Sequence, residues 1–146
     1  RRQRQMCIRD RFDTLIVAVL NNSAKTPLFT VKEREEMLRE CCKDIPNVKV
    51  MSFDGLTVNF AQQQHATVMV RGLRAVTDFE NEIQLAHTNH ALYPGIETVF
   101  LSTSLKWSYL SSTIVREAAH YNHDVSKFVT PNVEAALKKK IREGKV

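Results

Sequence analysis

"TVMVRGLRAVTDFENEIQLAHTNHALY", residues 67–93, decides how this chain is read. It opens on the apolar run "TVMV" (67–70), passes through Arg71-Gly72-Leu73-Arg74 and continues as a long helical pattern. Val76, Phe79, Ile83, Ala86 and His90 recur at three- and four-residue steps, which predicts one packed face of a helix. A surface turn needs only the glycine, so two arginines flanking it point to an anion above the strand end. Asp78 and Glu80 suit the positive end of the helix that follows, with Thr77 and Glu80 in capping-box spacing.

Working outward, three further apolar runs have strand character: "TLIVAVL" (14–20), "VKVMSF" (48–53) and "TVFLST" (98–103). Three of the four runs lack clean alternation, as expected of strands covered on both faces of a parallel sheet. Helical patterns separate them. "TVKEREEMLRECCKDI" (30–45) opens with Thr30 and Glu33 in capping-box spacing and sets Met37, Leu38, Cys41, Cys42 and Ile45 on one side. "LTVNFAQQQ" (56–64) is a shorter helix, "SSTIVREAAHY" (111–121) begins with three hydroxyl residues, and "TPNVEAALKKKI" (130–141) has Thr130 as cap and Pro131 in the first turn. Strand, helix, strand, helix predicts an α/β fold with a doubly wound parallel sheet.

The 146 residues suit one domain, residues 12–146, with no repeat, linker or low-complexity tract. Residues 1–11, "RRQRQMCIRDR", lack any apolar period and are expected to be a foreign or disordered basic segment. They also locate the charge. Five arginines against one aspartate leave a single net positive charge, of the +5 total, to the remaining 135 residues. A basic nucleic-acid-binding face is therefore not expected. Cys7 and the adjacent pair Cys41-Cys42 match no zinc spacing and are expected to be reduced thiols. "TLIVAVL" is too short for a signal core or a membrane span. A cytoplasmic protein with no membrane partner is expected.

Ligands of open parallel sheets bind beyond the carboxyl ends of the strands. Each run here is followed by polar residues: "NNSAKTPLFT" with Lys25, Asp54-Gly55-Leu56-Thr57, Arg71-Gly72-Leu73-Arg74, and "SLKWSYLSST". Three of these exits carry cations, and the last leads into a helix start rich in hydroxyls, whose N–H groups and dipole favour a phosphate. No Cys/His or Ser/His pair stands out. His87 and His90 lie three apart with no third metal ligand in view, so no metal site is expected.

"RGLRAVTDFENEIQLAHTN", with "KTPLFTVKERE" before it and "KWSYLSSTIVRE" after it, closely resembles the bacterial phosphopantetheine adenylyltransferase family of the nucleotidyltransferase superfamily. The likeness runs from about Phe12 to Ile141. It implies a Rossmann-like nucleotidyltransferase fold and transfer of AMP from ATP to 4′-phosphopantetheine, giving dephospho-coenzyme A and pyrophosphate, with Mg²⁺ assisting. It also implies a homohexamer. Such a transfer holds two anions in line and stabilises the charge between them, with no covalent nucleophile on the protein. Carried over, the likeness assigns Lys25, Thr57, Arg71 and Asn89 to phosphopantetheine. Gly72, Leu73, Arg74 and Glu82 fall to ATP, as do Trp107, Ser108, Tyr109, Leu110, Ser111, Ser112 and Thr113. Lys25 and Arg74 are the implied catalytic contacts.

The family's first strand, its Gly-Thr/Ser-Phe-Asp-Pro turn and its His-x-Gly-His motif have no counterpart among these residues. Losing one preorganised donor commonly costs ~10²–10³ in rate, so this polypeptide is expected to be nearly inactive. The missing strand would lie between "TLIVAVL" and "TVMV", so we expect a gap in the sheet, a substitute strand, or an association that fills the slot. Alternatives are a nucleotidyltransferase using CTP, a non-catalytic nucleotide or coenzyme A binding module, and a nucleic-acid binder acting through its basic arm.

Overall fold

The computed structural model describes residues 11–22, 26–74 and 76–144. The expected foreign segment and Lys25 fall outside the described residues, apart from Arg11. So does any strand drawn from residues 1–10.

Among the described residues are the four predicted strands, the five predicted helices and one further short helix, α4: β1 (Leu15–Leu20), α1 (Val31–Cys42), β2 (Val48–Phe53), α2 (Thr57–Gln63), β3 (Val68–Leu73), α3 (Val76–Leu92), β4 (Glu97–Ser102), α4 (Leu105–Ser108), α5 (Ser112–His120) and α6 (Pro131–Arg142). All pairing is parallel, with Leu15 opposite Val48 in one ladder and Val68 opposite Glu97 in the other. The fold is α/β. Among the described residues the strands form two separate pairs, β1–β2 and β3–β4, with no ladder joining β1 to β3.

The chain divides into two compact units. The first comprises the described residues up to Asp54 together with those from Ser112 onward. Its core gathers Val19 and Val50 from the strands, Cys42 and Ile45 at the end of α1, Val115 and Ala119 from α5, Val125, and Leu137 from α6. The capping box forms as the spacing requires: Thr30 N–H donates to Glu33 Oε2 at 2.8 Å, and Glu33 N–H to Thr30 Oγ1 at 3.2 Å. Thr130 stands at the N-cap position of α6 with Pro131 in its first turn, but its hydroxyl donates to Asn132 Oδ1 and makes no capping bond to the backbone. Asn132 Nδ2 donates to the Met37 carbonyl at 3.1 Å, joining α6 to α1.

The second unit runs from Gly55 to Ser111. Gly55 has φ +86°, a conformation only glycine adopts without strain, and it starts the turn into α2. Val58 and Ala61 of α2 bury against Ile96, which is 1% exposed, with Ala66, Met69 and Tyr93 packed around them. Among the described residues no helix is long and apolar enough to cross a membrane.

Three expectations for residues 67–93 need correction. The strand does not stop at Val70. Arg71, Gly72 and Leu73 continue β3 opposite Phe100, Leu101 and Ser102, so Gly72 belongs to a ladder rather than a turn. The six residues of β4 offer backbone partners along the whole length, and the strand extends to use them. The packed face of α3 is also rotated. Of the expected face, Ile83 and Ala86 are partly covered, joined by Glu82 and Asn89, whereas Phe79 is 43% exposed; His90 is exposed overall but sets Nδ1 3.3 Å from the Ile96 carbonyl, and the Val76 side chain lies outside the description. Because α3 is already helical at Val76, Thr77 sits inside the first turn rather than at the cap.

Candidate functional site

In the second unit, Arg71 and Arg74 leave the end of β3, and α3 returns over that strand. Two carboxylates on α3, one turn apart, receive them. Arg71 meets Glu82 side-on, with Nε 2.5 Å from Oε2 and Nη2 2.6 Å from Oε1. Arg74 Nε lies 3.1 Å from Asp78 Oδ2, and its Nη1 donates to the Leu110 carbonyl at 3.3 Å. The acid-rich start of α3 thus answers the arginines. Charge-assisted, two-point contacts of this kind fix a guanidinium plane as well as neutralise it.

The two pairs differ in burial. Glu82 is only 18% exposed and Arg71 41%, whereas the Arg74–Asp78 pair is more open, chiefly at its carboxylate. Glu82's hydrogen bonds raise the Arg71 pKa above its ordinary value, against an opposing push from burial. Arg71 therefore stays cationic at every pH the protein meets.

The other implied contacts of this unit lie on neighbouring elements. Thr57 is the first residue of α2. Asn89 points its amide toward Met69 Sδ on β3, at 3.7 Å, and is half-buried. Gly72 is exposed on β3, where the lack of a side chain permits close approach of a ligand. Trp107 is half-buried beneath Lys106, whose Nζ stands 4.8 Å from the ring centroid, while Tyr109 is 59% exposed. Ser108 Oγ donates to the Leu105 carbonyl at 3.0 Å, an exposed bond within the same short helix. Leu110 is held by Arg74, and Ser111 ends the unit.

Ser112 and Thr113 belong to the first unit, as the exposed first turn of α5. There Thr113 shares an open cavity of about 570 Å³ with Thr26, Pro27, Leu28, Arg116, Glu117, His120 and Tyr121. Thr26 follows Lys25 in the chain. Arg116 folds back so that Nε reaches the Ser112 carbonyl at 3.4 Å.

Sequence reasoning took Asp78 as a helix-start charge and missed it as a partner of Arg74. It likewise missed that Glu82 belongs to Arg71. For Asp78 the signal was available in spacing, since it follows Arg74 by four residues, whereas Arg71 lies on the strand and no local spacing announces its pairing with Glu82. Among the described residues no three His, Cys, Asp or Glu side chains converge on a metal-sized point. Asp78 and Glu82, the carboxylates nearest the arginines, are taken up by them.

The model of the cytidylyltransferase-like family matches residues 7–118. The phosphopantetheine adenylyltransferase of Lachnoclostridium phytofermentans is 60% identical over 120 residues, covering 82% of this chain and 73% of the relative. That of Nostoc punctiforme is 55% identical over 122 residues, covering 84% and 67%. That of Petrotoga mobilis is 48% identical over 132 residues, covering 90% and 82%.

Proposed function

We infer the reaction from one premise: the chain belongs to the phosphopantetheine adenylyltransferases, within the cytidylyltransferase-like family. Its function is that of an adenylyltransferase in coenzyme A biosynthesis. A phosphate oxygen of 4′-phosphopantetheine attacks the α-phosphorus of ATP, the bond to pyrophosphate breaks, and dephospho-coenzyme A forms. The observation that carries this reading is the 60% identity with a curated member across 82% of the chain.

Arg71 receives the phosphate of phosphopantetheine, together with Lys25, while Thr57 and Asn89 contact the pantetheine arm. Arg74 meets the ATP phosphates, and Gly72 and Leu73 lend the bare strand surface beside it. Trp107, Ser108, Tyr109 and Leu110 form the nucleotide-side segment, and Ser111, Ser112 and Thr113 supply hydroxyls and helix-start N–H groups. What supports these roles is the chemistry of the groups: cations held by carboxylates, together with hydroxyls, suit two phosphates and no covalent intermediate.

Mg²⁺ belongs to ATP in this scheme. The carboxylates beside the arginines are already ion-paired, so the ion is carried by the phosphate oxygens, as is usual for Mg²⁺ at nucleotide sites. When bound, it neutralises charge on the phosphates. The enzyme works in the cytoplasm as a homohexamer.

The sequence contains no His-x-Gly-His, and slow turnover is expected on that account, so binding is the direct readout. Calorimetric titration is expected to show ATP and 4′-phosphopantetheine binding, with ATP preferred over CTP. Preference for CTP, or no affinity for phosphopantetheine, would overturn the assignment.

A further inference from the structure

We propose that Asp78 is a positioning residue for Arg74, holding one corner of its guanidinium so that the corner left over meets the ATP phosphates. The inference rests on the reading of Arg74 given above and adds a residue to which the likeness to the family assigns no role.

The geometry of the arginine carries it. A guanidinium is a planar triangle of nitrogens, Nε, Nη1 and Nη2, that together offer five N–H groups. Arg74 is held at two of these corners, from two different elements. Nε donates to Asp78 Oδ2 at 3.1 Å in the first turn of α3, and Nη1 donates to the Leu110 carbonyl at 3.3 Å. One such contact leaves the plane free to turn, and two fix it. Both hydrogens of Nη2 and the second hydrogen of Nη1 remain, and no partner for them is found among the described residues. Those donors suit the oxygens of a phosphate.

Spacing and exposure point the same way. Asp78 follows Arg74 by four residues, the step that brings two side chains together along a helix. Glu80, two residues further, faces another way and is exposed. Asp78, at 29%, is the sheltered member of the pair, and Arg74, at 46%, is the accessible one. The carbonyl contact widens the effect. Leu110 N–H donates to the Trp107 carbonyl at 3.2 Å, so Trp107–Leu110 closes on itself as a turn that Arg74 grips at its end. Two nucleotide-side contacts therefore depend on one carboxylate.

The direction of the effect makes it testable. A carboxylate beside a phosphate site repels ATP, so an acid with no task there improves ATP binding when it is removed. A carboxylate that orients the cation does the reverse. Without it Arg74 regains rotamer freedom, which ATP binding must then take away.

Calorimetry compares ATP, with and without Mg²⁺, and 4′-phosphopantetheine on the full chain, Asp78→Ala, Arg74→Gln and the double variant. Thermal unfolding serves as a check on folding. Asp78→Ala is expected to bind ATP about five- to tenfold more weakly, equally with and without Mg²⁺, and phosphopantetheine within about twofold of the parent. In the Arg74→Gln background the same substitution should weaken ATP binding no further, since Asp78 acts through Arg74.

Unchanged or tighter ATP binding by Asp78→Ala overturns the proposal. So does a loss confined to the Mg²⁺ titration, which would make Asp78 a ligand of the ion, or a second full loss on top of Arg74→Gln. Equal weakening of ATP and phosphopantetheine would reduce Asp78 to a support of the first turn of α3. If Asp78→Ala does not fold, Asp78→Asn decides. It keeps an oxygen for Nε without the charge, so ATP affinity should fall about threefold, and unchanged or tighter binding overturns the proposal there too. Unaltered ATP binding by Arg74→Gln sinks the reading of Arg74 itself, an outcome separate from the others.

Discussion

Lys140 Nζ stands 2.7 Å from Glu33 Oε1, so the closing turns of α6 are fastened to the capped first turn of α1. Lys140 is 14% exposed, and its charge also lies 5.9 Å from the ring centroid of Phe29. Glu33 therefore serves two masters. One oxygen closes the capping box on Thr30 and the other holds a lysine from the far end of the chain.

That double duty sets a pH dependence. The Lys140 hydrogen bond, and after it the Thr30 backbone N–H, hold the Glu33 pKa down to about 2 from 4.5. A carboxylate depressed by folding contributes stability that is fully present above the unfolded value and fades as pH falls through the folded one. Stability is therefore expected to decline as pH drops from 4.5 toward 2, followed by urea midpoints in circular dichroism. Glu33→Gln should be less stable at pH 7 and show a shallower acid limb. An identical limb in the variant would remove Glu33 as the cause.

Gly95 tests the second unit's core. A Cβ built there would meet the Tyr93 ring at 2.9 Å, and Tyr93 packs against the Val58–Ala61–Ile96 cluster. Gly95→Ala is expected to cost about 1–3 kcal/mol, the usual penalty of overpacking. Urea denaturation measures it. A neutral result would mean that Tyr93 swings clear at no expense.

Asn132 tests the seam between α1 and α6. Its amide donates to the Met37 carbonyl, and its carbonyl oxygen accepts from Thr130 Oγ1 at 2.6 Å, with the Cys41 thiol beside it. Asn132→Ala should cost about 1–3 kcal/mol, because it strands half-buried polar groups. Asn132→Asp keeps the acceptor, loses the donor and should fall between. Thermal unfolding that ranks Asp below Ala would contradict this account.

Arg74 tests the nucleotide side. Arg74→Gln removes a cation and the bond to the Leu110 carbonyl, and ATP affinity is expected to fall roughly 10–100-fold. Pantetheine binding should be unaffected. Calorimetry at two salt concentrations should also show a weaker salt dependence for the variant. Unaltered ATP binding would take Arg74 out of the site.

What was legible in the sequence was local. The Thr30–Glu33 box and the Thr130-Pro131 start are written at three-residue range or less; the box forms as predicted, and α6 starts at Pro131 as predicted though without a side-chain cap from Thr130. The α/β order followed from the alternation of apolar runs. The length of β3 was not legible, since Arg71-Gly72-Leu73 looks like a turn until β4 supplies its ladder. Nor was the face of α3. Hydrophobic period favoured Phe79 and His90, but Arg71 on the strand recruits Glu82, and the helix settles with that acid turned inward. Phe79, left 43% exposed, keeps only an edge contact to Phe100, with ring centroids 6.3 Å apart. The arginines were found by composition, and their orientation was not, because orientation depends on partners a turn or more of helix away.

The first unit is split by the second, and this has a consequence for the nascent polypeptide. α1 emerges from the ribosome early, yet the groups that clasp it, Asn132 and Lys140, are translated about a hundred codons later. Residues 55–111 have all their own core partners in hand by then and can fold first. β1, α1 and β2 must wait with an incomplete core until synthesis reaches α6.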